Sequence, residues 1–330
     1  MNYRSVADLN DQVVRWLPQL PRDLDIIVGI PRSGLLVANL LALHLNLPMT
    51  DVEGLVEGRV TQAGGRYRHF DARTFLSVRR KVLVVDDSVL DGTEMTRVKE
   101  RLKAVSALHD LHYAATYVAP GAEKHVDCFA ELLPPPRCFE WNLMHHKLFL
   151  ENSCMDIDGV LCCDPTDEEN DDGVKYEAFI RDAKPLYLPT HPVGNLVTCR
   201  LEKYRAGTED WLARHGVKYG KLFMMDYPDM SARRAENSHG AFKAGIFLKT
   251  KSWLFIESCL PQAREIAELT GYDVFCMETR EMMAPGAASA RRRRILDAPR
   301  NFRYRVAAGF NFAMRVPGGV KRRIQRLIRS

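Results

Sequence analysis

Short continuous apolar runs alternate with longer amphipathic stretches along most of the chain, a pattern that predicts strand–helix–strand units and parallel sheets. In the first half, residues 26–30, 82–85, 111–118 and 128–132 are expected strands. Helices are expected over residues 35–47 and from Thr93 to about Ala107. Pro134, Pro135 and Pro136 then mark a boundary. A second alternating set covers residues 148–279, with strands expected at 195–200, 221–225, 253–258 and 274–277. The predicted layout is a domain over 1–140, a domain over 148–284 and a tail over 285–330. The expected fold class is α/β, two doubly wound parallel-sheet domains whose sites lie at strand carboxyl ends.

The most informative stretch is residues 81–93, KVLVVDDSVLDGT. An apolar run ends in adjacent carboxylates, Asp86 and Asp87. A short loop through Ser88, Asp91 and Gly92 leads to Thr93 at a helix start. Backbone N–H groups and the positive helix end there suit a phosphate, and the carboxylates suit ribose hydroxyls. Upstream, DIIVGIPRSG places Arg32, Ser33 and Gly34 in a tight turn after another apolar run. Alone, that turn also reads as an ordinary strand–helix corner. Together the two stretches resemble the donor-binding and diphosphate-binding loops of type I phosphoribosyltransferases. That resemblance implies a phosphoribosyl diphosphate donor used with Mg2+. It assigns Asp86 and Asp87 to the ribose hydroxyls, Ser88, Asp91, Gly92 and Thr93 to the 5-phosphate, and Arg32, Ser33 and Gly34 to the diphosphate. In that family the upstream turn often contains a non-proline cis peptide. Leu90 departs from it, because nucleobase-using members place a hydrogen-bonding Asp there. Asp91 is a candidate general base or a helix cap. Residues 57–70, with Gly58, Gly64, Gly65, Arg59, Arg66 and Arg68, sit where the family has a closing loop, and a solvated hairpin tip fits the same composition.

A second chemistry begins at residues 154–162, CMDIDGVLC. Asp156 and Asp158 alternate across Ile157 and so leave a strand end on one side. The string also suits a turn or a calcium loop. With later segments it resembles the haloacid dehalogenase superfamily of aspartate-nucleophile phosphatases. By that resemblance Asp156 attacks phosphorus, Asp158 shuttles the leaving-group proton and Thr198 holds the phosphoryl oxygen. Lys243, with Lys249 as competitor, neutralises the charge; Arg200 contacts substrate, and Asp156, Asp158 and Glu257 hold Mg2+. Ser258 stands where relatives often carry a second Asp.

Composition changes this picture in two places. Eight cysteines without paired CxxC spacing, and no apolar leader, predict a reducing cytoplasm. Residues 291–330 hold 13 Lys and Arg against one acid, so a basic tail follows an acidic body. Its apolar positions Val320, Ile324, Leu327 and Ile328 share one helical face. An inner-membrane surface, docking on the protein itself and nucleic acid are the three readings, ranked in that order. A chain with both chemistries resembles the phosphoribosyltransferase–phosphatase pairs of bacterial capsule and O-antigen synthesis. That resemblance implies transfer of ribose 5-phosphate to a glycan acceptor, free or lipid-linked, and removal of the 5-phosphate. A nucleobase phosphoribosyltransferase with a nucleotidase, or a donor-sensing RNA-binding regulator, are the rivals.

Overall fold

The computed structural model describes residues 1–61, 74–232, 239–286 and 289. The chain divides into two compact units, Met1–Trp141 and a second that begins at Asn142.

In the first unit, β2 (Ile26–Gly29), β3 (Met49–Asp51), β4 (Lys81–Val89), β5 (Asp110–Val118) and β6 (Cys128–Leu132) form one parallel sheet in the order β3-β2-β4-β5-β6. The continuous apolar runs are explained by burial on both sides. Ile27, Leu83, Val85, Ala114 and Tyr117 pack against α1 (Val6–Trp16) and α2 (Gly34–Leu45) through Leu9, Val13, Val37 and Leu41. Ile26, Val28, Val82, Val84, Ala115 and Val118 pack against α3 (Val52–Val56) and α4 (Thr93–Arg101) through Leu55, Met95 and Val98. Each of the Val, Leu, Ile and Met side chains among them contributes about 1.5–3 kcal/mol on full burial, which fixes both faces of the sheet.

Three details differ from the sequence expectation. Ser88 lies in β4 rather than in a loop, because β5 continues the ladder beside it to Val89. The helix from Thr93 ends at Arg101, and a 3-10 turn over Leu102–Ala104 follows. The chain does not leave the unit at the prolines: β7 (Arg137–Phe139) pairs in parallel with β1 (Asn2–Arg4).

In the second unit, β8 (Ser153–Met155), β9 (Val193–Leu201), β10 (Tyr219–Met225), β11 (Leu254–Glu257), β12 (Val274–Cys276) and β13 (Glu281–Met283) run in the order β10-β9-β8-β11-β12-β13. Only β13 is antiparallel. Its helices include α5 (Lys147–Glu151), α6 (Val174–Asp182), α7 (Arg205–Arg214), α8 (His239–Thr250) and α9 (Leu260–Thr270). Phe247, Ala263, Ile266 and Ala267 of the last two helices pack on Cys154, Val197, Phe255 and Val274. No described helix is long and apolar enough to cross a membrane.

Strand order locates the sites. In the first sheet the chain moves outward from β2 to β3 and then returns to start β4 on the other side of β2. In the second it moves from β8 through β9 to β10 and returns to start β11 beside β8. Ligand crevices of open α/β sheets form at such switch points, outside the strand carboxyl ends. Arg32–Gly34 and Asp86–Asp87 flank the first switch point, and Asp156 and Glu257 flank the second.

Candidate functional site

The first unit brings the two predicted loops into contact. Gly29 pairs with Val85, and Ile30 N–H donates to the Val85 carbonyl at 2.9 Å. The turn then runs through a cis Pro31–Arg32 peptide into α2. Arg32 is exposed, while Gly34 is buried against Asp86. A Cβ on Gly34 would lie 2.7 Å from the Val85 carbonyl oxygen and 3.0 Å from both Asp86 Cα and Oδ1. Only glycine lets the helix N-terminus approach the carboxylate this closely.

Asp86 and Asp87 are buried. Asp86 Oδ1 accepts the Asp87 N–H at 2.9 Å, and Asp87 Oδ2 accepts the Trp141 indole N–H at 2.8 Å. Among the described residues neither carboxylate has an ion-pair partner. Burial first, and then the adjacent Asp87 charge, push the Asp86 carboxyl up to about 8. A pair of buried carboxylates without a cation suits ribose hydroxyls and a cation-bearing donor.

Ser88 is half-buried on β4. Gly92 adopts a left-handed conformation with φ 78°, and a Cβ there would meet the His125 ring at 2.2 Å. Asp91 Oδ1 accepts the Thr93 N–H at 2.9 Å. That bond closes the turn just ahead of α4. Leu90 is 47% exposed. Of the expected closing loop, Gly64, Gly65, Arg66 and Arg68 lie outside the described residues, as does the tail from Ala290 onward. Trp141, which reaches Asp87, carried no signal in the sequence. Phe139 stacks on its ring at 4.7 Å between centroids, and 54 residues separate it from its partner Asp87.

In the second unit, Asp156 follows β8 and Glu257 ends β11. Lys243, from α8, reaches between them and donates to Asp156 Oδ2 at 2.6 Å, Glu257 Oε2 at 2.8 Å and Gln262 Oε1 at 2.9 Å. Lys249 is exposed, so geometry selects Lys243. Burial alone would favour a neutral lysine, but Asp156 and Glu257 hold the ammonium above its ordinary value. Burial, with Glu257 and Asp158 nearby, pushes the Asp156 carboxyl up against the pull of Lys243. A cleft of about 750 Å³ opens onto Asp156, Asp158, Asp164, Cys199, Lys243 and Ser258. Asp164 is also raised, by burial first and then by Asp158. Gln262 carried no signal at all.

Three predicted roles are corrected by this geometry. Thr198 is fully buried, its hydroxyl accepts the Arg200 N–H at 3.2 Å, and Cys199 rather than Thr198 lines the cleft. Arg200 lines the cleft, but its guanidinium is held by Asp158, with Nη2 donating to Oδ1 at 2.6 Å and Nε to Oδ2 at 3.1 Å. Asp156, Asp158 and Glu257 do not fit Mg2+ as arranged. Lys243 bridges the first and third, Arg200 holds both oxygens of the second, and Ser258 N–H donates to Glu257 Oε1 at 3.1 Å. Among the described residues no group of three His, Cys, Asp or Glu side chains is placed to hold a metal. All eight cysteines are free thiols.

A transcriptional regulator, GfcR, from Methanococcoides burtonii is 30% identical over 102 residues, covering 30% of this chain and 48% of that one. The chain thus spans about half the length of the curated relative it matches. Two solved structures are similar to it: a xanthine-guanine-hypoxanthine phosphoribosyltransferase from Helicobacter pylori and a purine phosphoribosyltransferase from Pyrococcus horikoshii. They are 17% and 18% identical, and each match covers 42% of this chain and 92% of the other, with a TM-score of 0.32. Residues 3–133 match the phosphoribosyl transferase domain family. That stretch, carrying both loops at the first switch point, is a phosphoribosyl transferase domain.

Proposed function

We propose that the chain transfers ribose 5-phosphate from phosphoribosyl diphosphate to an acceptor hydroxyl in its first unit and hydrolyses the 5-phosphate in its second. The observation that carries this reading is the Asp156–Lys243–Glu257 cluster at a switch point, on the same chain as a phosphoribosyl transferase domain. A nucleotide-salvage enzyme gains nothing by dephosphorylating its product, whereas a route to a bare ribofuranose needs both steps.

In the first unit, Asp86 and Asp87 take the ribose hydroxyls, the backbone and side chains of Ser88 and of Gly92–Thr93 take the 5-phosphate, and Arg32 and Ser33 take the diphosphate. Asp86 and Asp87, which have no ion-pair partner among the described residues, would face Mg2+ brought with the donor, and that ion would offset the charge of the departing diphosphate. The reaction passes through oxocarbenium character at the anomeric carbon and inverts it to a β-linked ribofuranoside. Leu90 offers no acceptor to a purine, which supports a glycan hydroxyl as the nucleophile. In the second unit, Asp156 attacks phosphorus while Lys243 balances the charge.

A surface-polysaccharide role at the inner face of the cytoplasmic membrane follows from a lipid-linked acceptor and the basic tail. Loss of flotation on anionic liposomes when the chain is cut after Ala290 would support that placement, and equal flotation would remove it.

The second reading is a donor-sensing regulator, favoured by the likeness to a transcriptional regulator. Incubation with phosphoribosyl diphosphate and glycan acceptors separates the two. Acceptor-dependent release of diphosphate supports transfer. Donor binding without turnover, together with salt-resistant nucleic-acid binding, supports the regulator.

A further inference from the structure

Lys243 has no N–H group left for a phosphate. Its side chain is buried, and its three ammonium N–H groups are occupied by Asp156 Oδ2 at 2.6 Å, Glu257 Oε2 at 2.8 Å and Gln262 Oε1 at 2.9 Å. Thr198, the hydroxyl expected to hold a phosphoryl oxygen, is fully buried, and the Arg200 guanidinium is held by Asp158 and Thr208. The side chains read from the sequence as phosphate donors are thus engaged or buried. A phosphoryl group under attack by Asp156 still needs a donor, because negative charge gathers on its non-bridging oxygens.

Gln262 is placed to supply one. It stands in the first turn of α9, and only Ser258 and Cys259 separate α9 from the end of β11, so its side chain reaches the strand end that carries Glu257. Chemistry decides which way its amide faces. An ammonium has no lone pair, so the amide oxygen must meet Lys243 and the NH₂ must be the other arm. Gln262 lines the cleft, and among the described residues its Nε2 has no hydrogen-bond partner and is reached by solvent. Lys243 bridges Gln262 Oε1 to Asp156 Oδ2, so the NH₂ stands one ammonium away from the nucleophile. The bond from the ammonium also polarises the amide and strengthens its N–H groups as donors.

We propose that Gln262 is a catalytic residue of the second cleft: its NH₂ donates to a non-bridging oxygen of the phosphoryl group, the place expected of Thr198, and Lys243 holds the amide in that orientation. The inference rests on the phosphatase reading of this cleft. In the first step an Asp156 oxygen bonds to phosphorus while the bond from phosphorus to the leaving oxygen breaks, its electron pair staying on that oxygen. In the second, water bonds to phosphorus and the pair of the phosphorus–Asp156 bond returns to the carboxylate. Over both steps the leaving alcohol gains the proton that the water loses. Gln262 keeps its own protons throughout and acts on the equatorial oxygens alone.

The test uses the full chain with Mg2+ in the buffer, p-nitrophenyl phosphate as substrate and orthovanadate as the probe of the attacked phosphoryl geometry. Removing one preorganised donor to a developing oxyanion costs about 10²–10³-fold in kcat in a closed site. In this solvent-reached cleft Gln262→Met should lower kcat by at least about tenfold and weaken vanadate inhibition with it. Gln262→Glu keeps an acceptor for Lys243 but lacks the NH₂, so it should fall at least as far. The chain has five glutamines, so selective ¹⁵N labelling resolves their side-chain NH₂ signals, and the Gln262 pair is the one missing from either variant. Vanadate should move that pair downfield in the wild-type chain. A kcat within about twofold of wild type in Gln262→Met overturns the proposal and leaves the phosphatase reading intact. So does a Gln262 signal that stays in place when vanadate fully inhibits, which would make Gln262 a tether for Lys243 only. Wild type no more active than Asp156→Asn overturns both.

Discussion

Asn in place of Asp86 imitates the protonated carboxyl, and that makes the first candidate site testable through stability as well as activity. The Asp86 carboxyl sits near 8 in the fold, because burial and the Asp87 charge both disfavour its ionised form. In the unfolded chain an Asp titrates near about 3.9. An acid raised by folding favours the fold while it is protonated in both states, and that advantage is lost as pH climbs through the folded value. Stability should therefore fall from about pH 4 to about pH 8 and then level off. At about 1.4 kcal/mol per pH unit the interval gives an upper bound on the order of 5 kcal/mol. Relaxation of the site around the buried charge takes up part of that bound, so about 2–4 kcal/mol is the expected difference. Asp86→Asn keeps the Oδ1 acceptor for the Asp87 N–H and places an NH₂ where the protonated form carries its hydrogen. The variant should match wild type at about pH 4, exceed it by about 2–4 kcal/mol at pH 8.5, and lose transfer from phosphoribosyl diphosphate. Urea unfolding read by hydrogen exchange of the Lys81–Val89 peptide reports the first unit alone. Parallel pH dependence in both proteins would refute the reasoning.

Three further outcomes follow. Gly34→Ala should lower first-unit stability by about 1–3 kcal/mol and cut transfer at least about tenfold, because its Cβ meets backbone at Val85 and Asp86; a urea midpoint and initial rate equal to wild type would contradict the close approach. Trp141→Phe keeps the stack on Phe139 but removes the N–H donor to Asp87, so KM for phosphoribosyl diphosphate should rise several-fold while the fold holds; an unchanged KM would remove Trp141 from the site. Lys243→Met leaves two buried carboxylates without their cation, so the second unit should lose about 3–5 kcal/mol. That deficit should shrink as pH is lowered and the carboxylates protonate; a deficit independent of pH would speak for lost packing instead.

The first switch point was legible in the sequence because a parallel strand buried on both faces reads as one apolar run. The run over residues 82–85 leads straight into Asp86 and Asp87, and both order in the chain and residue type survive folding. The 5-phosphate loop was less legible. Ser88 is pulled into β4 by β5, a partner some 30 residues further on, and no local propensity announces that extension. In the second unit the strand ends carrying Asp156 and Glu257 were readable, and so was Lys243 as one of two lysines. What the sequence hid is side-chain direction. Asp158 pairs with Arg200 42 residues away, and Lys243 finds Gln262 across two helices. Spacing along one strand says which face a side chain takes, not which partner reaches it.

The most direct test of the central claim is a mass balance on one reaction. Wild type and Asp156→Asn are each incubated with phosphoribosyl diphosphate, Mg2+ and a panel of glycan acceptors, with intact-mass readout of the product. Wild type should yield a ribosylated acceptor and free phosphate, and Asp156→Asn should accumulate the same acceptor heavier by one phosphate group. Fully dephosphorylated product from Asp156→Asn at the wild-type rate, or no acceptor modified by either protein, would contradict the account.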